Sequence, residues 1–288
     1  MKTYLNYKGL TVLAHRGGAD ESPENTLESF EYSIALGCDF IETDVQVSLD
    51  GIPYIFHDDD LKRIANIPKK FDSLKSEEID EIKIFGNHEI PRLEDVLNKF
   101  PYTSFQIDFK TDEVVIPALD VIKKTNSFDR VCIASFNSKR LDEVRLKFPD
   151  LCISMGPVEV FKTILSSYGL YKAKINGDCL QVPMKYYGIK VISKRFVDFV
   201  KSKGLKVMVW TINDIKTFKY LIELDVDGII TDKPKLLFET LKNNSEINFL
   251  KPFASKNVYA FDSDSFFSRP TTRIIEGAEQ LRDAILNK

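Results

Sequence analysis

The sequence predicts an α/β chain folded as a (β/α)8, or TIM, barrel, and three observations carry that prediction. Eight short apolar runs are spread over residues 11–232, and amphipathic stretches of helical period lie between them. The turn after the first run, HRGGADESPEN, has no GxGxxG of the kind an open nucleotide-binding sheet carries there. Eight such units in about 240 residues is the size of a closed barrel.

In chain order, the strands are TVLAH (11–15), DFIETDVQV (39–47), SFQIDFK (104–110), RVCIASF (130–136), LCISM (151–155), CLQVP (179–183), KVMVWTI (206–212) and DGIITD (227–232). Each is bounded by polar or turn-forming residues, and several alternate with period two. Helical patterns follow in NTLESFEYSIALG, VVIPALDVIKKT, KRLDEVRLKF, SKRFVDFVKSKG and DIKTFKYLIELD. The barrel is expected to span residues 1–243. Residues of about 51–92, too many for a simple loop, read as a strand extension plus a small insertion after the second strand. Beyond residue 243 the rhythm stops, and 244–288 is expected to be an extension ending in an amphipathic helix, packed on the barrel.

Composition excludes several classes. A formal charge of −3 with scattered Lys and Arg lacks the basic footprint that nucleic acid requires. No apolar run approaches a membrane span or a signal peptide, so a cytoplasmic protein without stable membrane insertion is expected. The oligomeric state is not encoded in any motif. Cys38, Cys132, Cys152 and Cys179 have no CxxC spacing and sit within apolar runs, where a free thiol behaves as a small hydrophobe; neither a disulfide nor a zinc site is indicated.

The second strand poses a chemical question, because Glu42, Asp44 and Gln46 share one face while Thr43 and Val45 share the other. The third strand repeats the pattern, with Gln106, Asp108 and Lys110 together. In a barrel the interior-facing residues at strand C-termini open onto the mouth, so Glu42, Asp44 and Asp108 are expected to converge. Close carboxylates repel unless protonated or bound to a cation, and oxygen-only ligation suits one hard divalent ion, Mg²⁺ or Ca²⁺. His15 and His57 close strands at the same mouth and are natural proton carriers; Arg16 and Lys110 are fixed cations beside the acids. His88 is read as an ordinary surface histidine. A hard metal, two imidazoles and two cations are what phosphodiester cleavage needs: charge neutralisation, then proton removal from the nucleophile and proton delivery to the leaving alkoxide.

With HRG (15–17), PENT (23–26), ETDV (42–45), HDDDLKR (57–63), IPRLEDVL (90–97), QIDFK (106–110), SFN (135–137), VWTIN (209–213) and DGIITDKP (227–234) in this order, the chain resembles the glycerophosphodiester phosphodiesterases. The resemblance covers about residues 10–240. It implies metal-dependent hydrolysis of small-molecule glycerophosphodiesters to sn-glycerol 3-phosphate and an alcohol. It further implies that Glu42, Asp44 and Asp108 hold the metal, that His15 and His57 are the acid/base pair, that Arg16 and Lys110 contact phosphate, and that Trp210 stands beside the glycerol. The chain departs from the family's usual glutamate at Asp108, which draws that carboxylate back by roughly 1.5 Å. Asn25 has a largely structural reading, with holding the site loop as the weaker option. Two other readings fit: the same machinery acting on a lysophospholipid or sphingomyelin-like lipid, with apolar residues of the insertion capping the chain, or a barrel that binds a phosphorylated ligand without turnover.

Overall fold

Alternating apolar and polar residues give each strand one face for a common interior and one for surrounding helices. In the computed structural model, which describes residues 2–172, 176–186 and 188–243, all eight predicted strands join one sheet. They are β1 (Thr11–His15), β2 (Phe40–Val47), β3 (Ser104–Phe109), β4 (Val131–Ala134), β5 (Cys152–Ile153), β6 (Cys179–Pro183), β7 (Lys206–Trp210) and β8 (Gly228–Thr231). Neighbours pair in parallel in the order β5-β4-β3-β2-β1-β8-β7-β6. The ends meet through a single parallel bridge, Ser154 to Cys179, where the Met155 N–H donates to the Cys179 carbonyl and the Asp178 N–H to that of Ile153, each at 2.9 Å. That closes the cylinder.

Eight helices follow the strands: α1 (Leu27–Leu36), α2 (Leu93–Lys99), α3 (Val115–Lys124), α4 (Ser138–Lys147), α5 (Pro157–Ser167), α6 (Lys194–Ser202), α7 (Ile215–Glu223) and α8 (Pro234–Lys242). The amphipathic stretches named from sequence are α1, α3, α4, α6 and α7. Helix α5 is of another kind, because its fully buried side chains are Thr163 and Ser167, while Pro157, Val160, Phe161 and Ile164 face a cavity at the barrel mouth. Its apolar stripe is therefore not spent on the barrel wall.

The interior below the mouth is filled by Leu13, Phe40, Cys132, Cys152, Cys179, Met208 and Ile230, closed from the N-terminal side by Tyr4 and Leu5. All four cysteines are buried free thiols. After β2 the chain turns back as Pro53–Ile55, antiparallel to it, and the insertion builds a separate small core of Tyr54, Phe56, Leu61, Phe71, Leu74, Ile79, Ile84 and Ile90. Ile64, Ile67 and Ile82 pack on its edge, and Phe56 stacks on Phe71 at 4.7 Å. These apolar residues are consumed by one another, so the insertion offers no open groove for a lipid chain; of Ile64, Ile67, Phe71, Ile82, Ile84 and Phe85, the residues expected to cap one, Phe85 alone is exposed. His88 pairs with Glu28 on the surface, 3.1 Å away. The extension at 244–288 lies outside the described residues. Among the described residues, no helix is long and apolar enough to cross a membrane.

Phe71 is buried among aromatic and aliphatic neighbours on every side, so Phe71→Ala is expected to cost about 3–5 kcal/mol, measurable as a lowered urea midpoint.

Candidate active site

Strand register brings the chemistry together. His15 is the direct neighbour of Glu42 across β1 and β2, and Asp44 of Asp108 across β2 and β3. Because residues i and i+2 share a face, the two pairs form successive levels of one interior patch. His15, Arg16, Glu42, Asp44, His57, Asp108, Lys110 and Trp210 all border a single cavity of about 430 Å³ at the C-terminal end of the barrel.

The acids there are almost without solvent. Lys110 Nζ lies 2.7 Å from both Asp44 Oδ1 and Asp108 Oδ2, and Arg16 Nε lies 3.2 Å from Asp44 Oδ2. Burial works to raise the Asp44 carboxyl, but Lys110 and Arg16 outweigh it and hold the group below the usual carboxylate range. Glu42 faces the His15 imidazole, Oε2 to Nε2 3.7 Å, and burial and the neighbouring Asp44 push it up to about 7. Burial likewise raises Asp108 to about 6, and its Oδ1 is buried with no hydrogen-bond partner. The three acids share a patch without closing into a cage. Among the described residues, only Cys132, Cys152 and Cys179 gather their ligand atoms within 4.8 Å of one another; between Asp44 and Asp108 stands the Lys110 ammonium.

Each histidine is held on one side by a carboxylate. His15 Nδ1 is 2.5 Å from Asp232 Oδ1, and Asp232 Oδ2 accepts from Asn213 Nδ2 at 2.7 Å. Burial lowers His15, yet Glu42 and Asp232 outweigh it and raise its pKa above the ordinary histidine value. His57 Nδ1 is 2.6 Å from Asp58 Oδ1, and Asp58 Oδ2 accepts from Arg63 Nε at 2.6 Å. A carboxylate at Nδ1 favours the N–H there and turns Nε2 the other way.

The turn after β1 is strained to serve this patch. Arg16 and Asn25 have φ of 50° and 57°, in the left-handed region. The Asn25 N–H donates to the Arg16 carbonyl, while Asn25 Nδ2 donates to Asp44 Oδ2 at 3.2 Å and Asn25 Oδ1 accepts from Thr43 at 2.8 Å. The weaker of the two readings of Asn25 is therefore the better description: it clamps a site carboxylate directly. Thr26 caps α1, its Oγ1 accepting from the Ser29 N–H at 3.1 Å. Glu24 joins Arg16 at 3.0 Å to Arg63 at 2.7 Å, giving a chain of alternating charge from Asp44 through Arg16, Glu24, Arg63 and Asp58 to His57.

Glu24, Asp58, Arg63, Asn213 and Asp232 were not singled out as site residues, although all lie within the quoted motifs. An acid immediately beside a strand-ending histidine, as in HD at 57–58, was the available signal; nothing local connects His15 to Asp232, 217 positions away. Opposite the charged patch the cavity wall is apolar. It is formed by the α5 stripe with Phe136 and Trp210, which meet edge to face at 5.8 Å. The arrangement can seat an anion between Arg16 and Lys110 and move protons at two imidazoles beside it, with apolar surface to one side.

Comparison with known proteins finds relatives over most of the chain. The model of the glycerophosphoryl diester phosphodiesterase family matches residues 15–236. A probable glycerophosphodiester phosphodiesterase 2 of Mycobacterium tuberculosis is 30% identical over 245 residues, covering 83% of this chain and 93% of its own. The human lysophospholipase D GDPD3 is 24% identical, covering 80% and 85%. In fold, the chain is similar to an Oleispira antarctica phosphodiesterase solved in complex with the product sn-glycerol-3-phosphate, with a TM-score of 0.69 and 22% identity over 82% of this chain and 98% of that one.

Gly17 has φ of +81°, and a Cβ there would lie 2.3 Å from Ser29 Oγ and 2.9 Å from the Phe30 ring. Gly17→Ala is expected to lower stability by more than the roughly 1–2 kcal/mol of left-handed strain alone, read by thermal melting. A second expectation concerns pH. Glu42 and Asp108 titrate above the unfolded carboxylate range, and His15 above unfolded histidine. Groups with raised folded pKa values contribute stability at low pH and lose it as pH rises through those values. In chelator, Tm is expected to fall between about pH 5 and pH 8, and Glu42→Gln to flatten the fall.

Proposed function

Since the chain belongs to the glycerophosphoryl diester phosphodiesterase family, we propose that it hydrolyses glycerophosphodiesters to sn-glycerol 3-phosphate and an alcohol, with His15 and His57 as the proton-transferring pair. The observation that carries this reading is that both imidazoles border one cavity with Arg16 and Lys110, each pinned at Nδ1 by a carboxylate. The two cations face the diester's negative charge and orient it. Asp232 and Glu42 favour the imidazolium of His15, making it the better donor to the leaving alkoxide; the more open His57, aligned by Asp58, takes the proton of the nucleophile's O–H. Trp210 and Phe136 flank the glycerol.

Glu42, Asp44 and Asp108 would hold one divalent cation, Mg²⁺ or Ca²⁺. Two buried carboxyls pushed up to about 7 and 6, together with an unpartnered Asp108 oxygen, fit such a group, since oxygen donors suit a hard ion. When bound, the ion supplies charge neutralisation at the phosphoryl oxygens.

A second reading has its own support. The α5 stripe lines the cavity with Phe136 and Trp210 and lies open beside the charged patch, a surface that fits the acyl chain of a lysophospholipid. The curated relative named lysophospholipase D is consistent with that substrate.

His15→Ala and His57→Ala are each expected to lower kcat by about 10²- to 10⁴-fold on glycerophosphocholine. A substrate with a p-nitrophenol leaving group should restore most of the His15→Ala rate and little of the His57→Ala rate. Equal rescue of both variants would overturn the division of roles. Activity is expected to vanish in EDTA and return with Mg²⁺ or Ca²⁺. Comparing glycerophosphocholine with lysophosphatidylcholine decides the substrate: Phe161→Asp is expected to depress only the second reaction.

A further inference from the structure

Outside the charged patch, the densest group of reactive side chains is sulfur. Cys132, Cys152 and Cys179 come from the consecutive strands β4, β5 and β6, and their Sγ atoms lie within 4.8 Å of one another. Cys132 and Cys179 are 3.8 Å apart. A tetrahedral or trigonal ion with metal–sulfur bonds of about 2.3 Å sets its sulfurs about 3.8–4.0 Å apart; Cys132 and Cys179 already stand at that spacing, and Cys152 lies within 4.8 Å of both.

Burial as small hydrophobes accounts for Cys38, which sits alone. It does not account for three sulfurs on one side of the interior, facing Leu13, Phe40, Met208 and Ile230 on the other. Polar atoms bracket the trio as well. On the N-terminal side, Tyr4 packs in the same cluster, and its hydroxyl is buried without a hydrogen-bond partner. On the other side lies the cavity floor. Gln106 is the register partner of Cys132, Ser154 the bridge partner of Cys179, and Gln181 is one pleat above Cys179. Gln106 Oε1 and both amide atoms of Gln181 are buried without partners. Buried polar groups in native proteins nearly always have partners, so the orphaned Tyr4 hydroxyl packed with three thiols points to a group held beside it, while Gln106 and Gln181 line the cavity from which that group would enter.

We propose that Cys132, Cys152 and Cys179 form a three-sulfur site for a soft divalent cation of the zinc and cadmium class, entered from the cavity past Gln106 and Gln181. Three S–H bonds break and three metal–sulfur bonds form, with release of three protons and no change in oxidation state. The product carries one negative charge, and the Tyr4 O–H donates to a thiolate to offset it. Sulfur selects a soft ion, whereas the carboxylates at the mouth select a hard one, so the two sites take different metals.

The test uses the reduced, chelator-treated full chain, with saturating Mg²⁺ present to occupy the carboxylates, titrated with Cd²⁺. The expected result is a sulfur-to-cadmium charge-transfer band that saturates at one equivalent, release of three protons and a higher Tm. Cys152→Ser is near-isosteric and is expected to weaken binding at least tenfold while keeping the circular dichroism of the fold; Cys38→Ser is expected to bind as the unaltered chain does. Absence of the band in the unaltered chain, its persistence at full affinity in Cys152→Ser, or its loss in Cys38→Ser would each overturn the proposal.

Discussion

The structure turns on a single electrostatic constraint: acidic side chains placed side by side by strand register, in an interior nearly free of water. Parallel pairing sets Asp44 against Asp108 and His15 against Glu42, with no freedom to separate them short of slipping a strand. Like charges at that spacing in a low dielectric demand compensation. Lys110 and Arg16 supply it for Asp44; at Asp108 the same Lys110 only partly offsets burial, and Asp108 and Glu42 are pushed up to about 6 and about 7. The left-handed turn at Arg16 and the Asn25 clamp exist within that constraint, as does the Asp232 contact to His15.

The insertion after β2 acquires its meaning from the same patch. It carries His57, Asp58 and Arg63 on a small aromatic core of its own, and Arg63 reaches back to Glu24 beside the β1 turn. Two regions distant in sequence are thus joined by alternating charges. Arg63 is half exposed, so its individual ion pairs are weak in isolation. The chain of charges matters more for orientation than for stability: it fixes which way His57 and Arg16 present themselves to the cavity.

Much of this was legible from sequence, for a physical reason. Period-two alternation reports which face a residue takes, and in a barrel that face is the interior; ETDV and QIDFK therefore disclosed the acids, and the strand ends disclosed both histidines. What alternation cannot report is contact between loops. Asp232 follows the last strand and meets the end of the first only when the cylinder closes, and Asn25 needs a left-handed backbone that no pattern announces. Helix α5 escaped because its apolar stripe faces the cavity and its buried side chains are hydroxyls. The burial of the cysteines as free thiols was legible, but not the meeting of three of them, since spacings of 20 and 27 residues become neighbours only through adjacent strands.

The cylinder is also unevenly fastened. Between β1, β2 and β3 the ladder is long and carries the acids, whereas on the far side β5 has two residues and meets β6 at one bridge. The wall formed by α5 with Phe136 and Trp210 is thus on the side with the fewest backbone ties. Substitutions there can reshape the apolar face of the pocket without disturbing the opposite staves, which hold the acids and His15. Such a division of labour separates the part of the barrel that shapes the cavity from the part that fixes its charge.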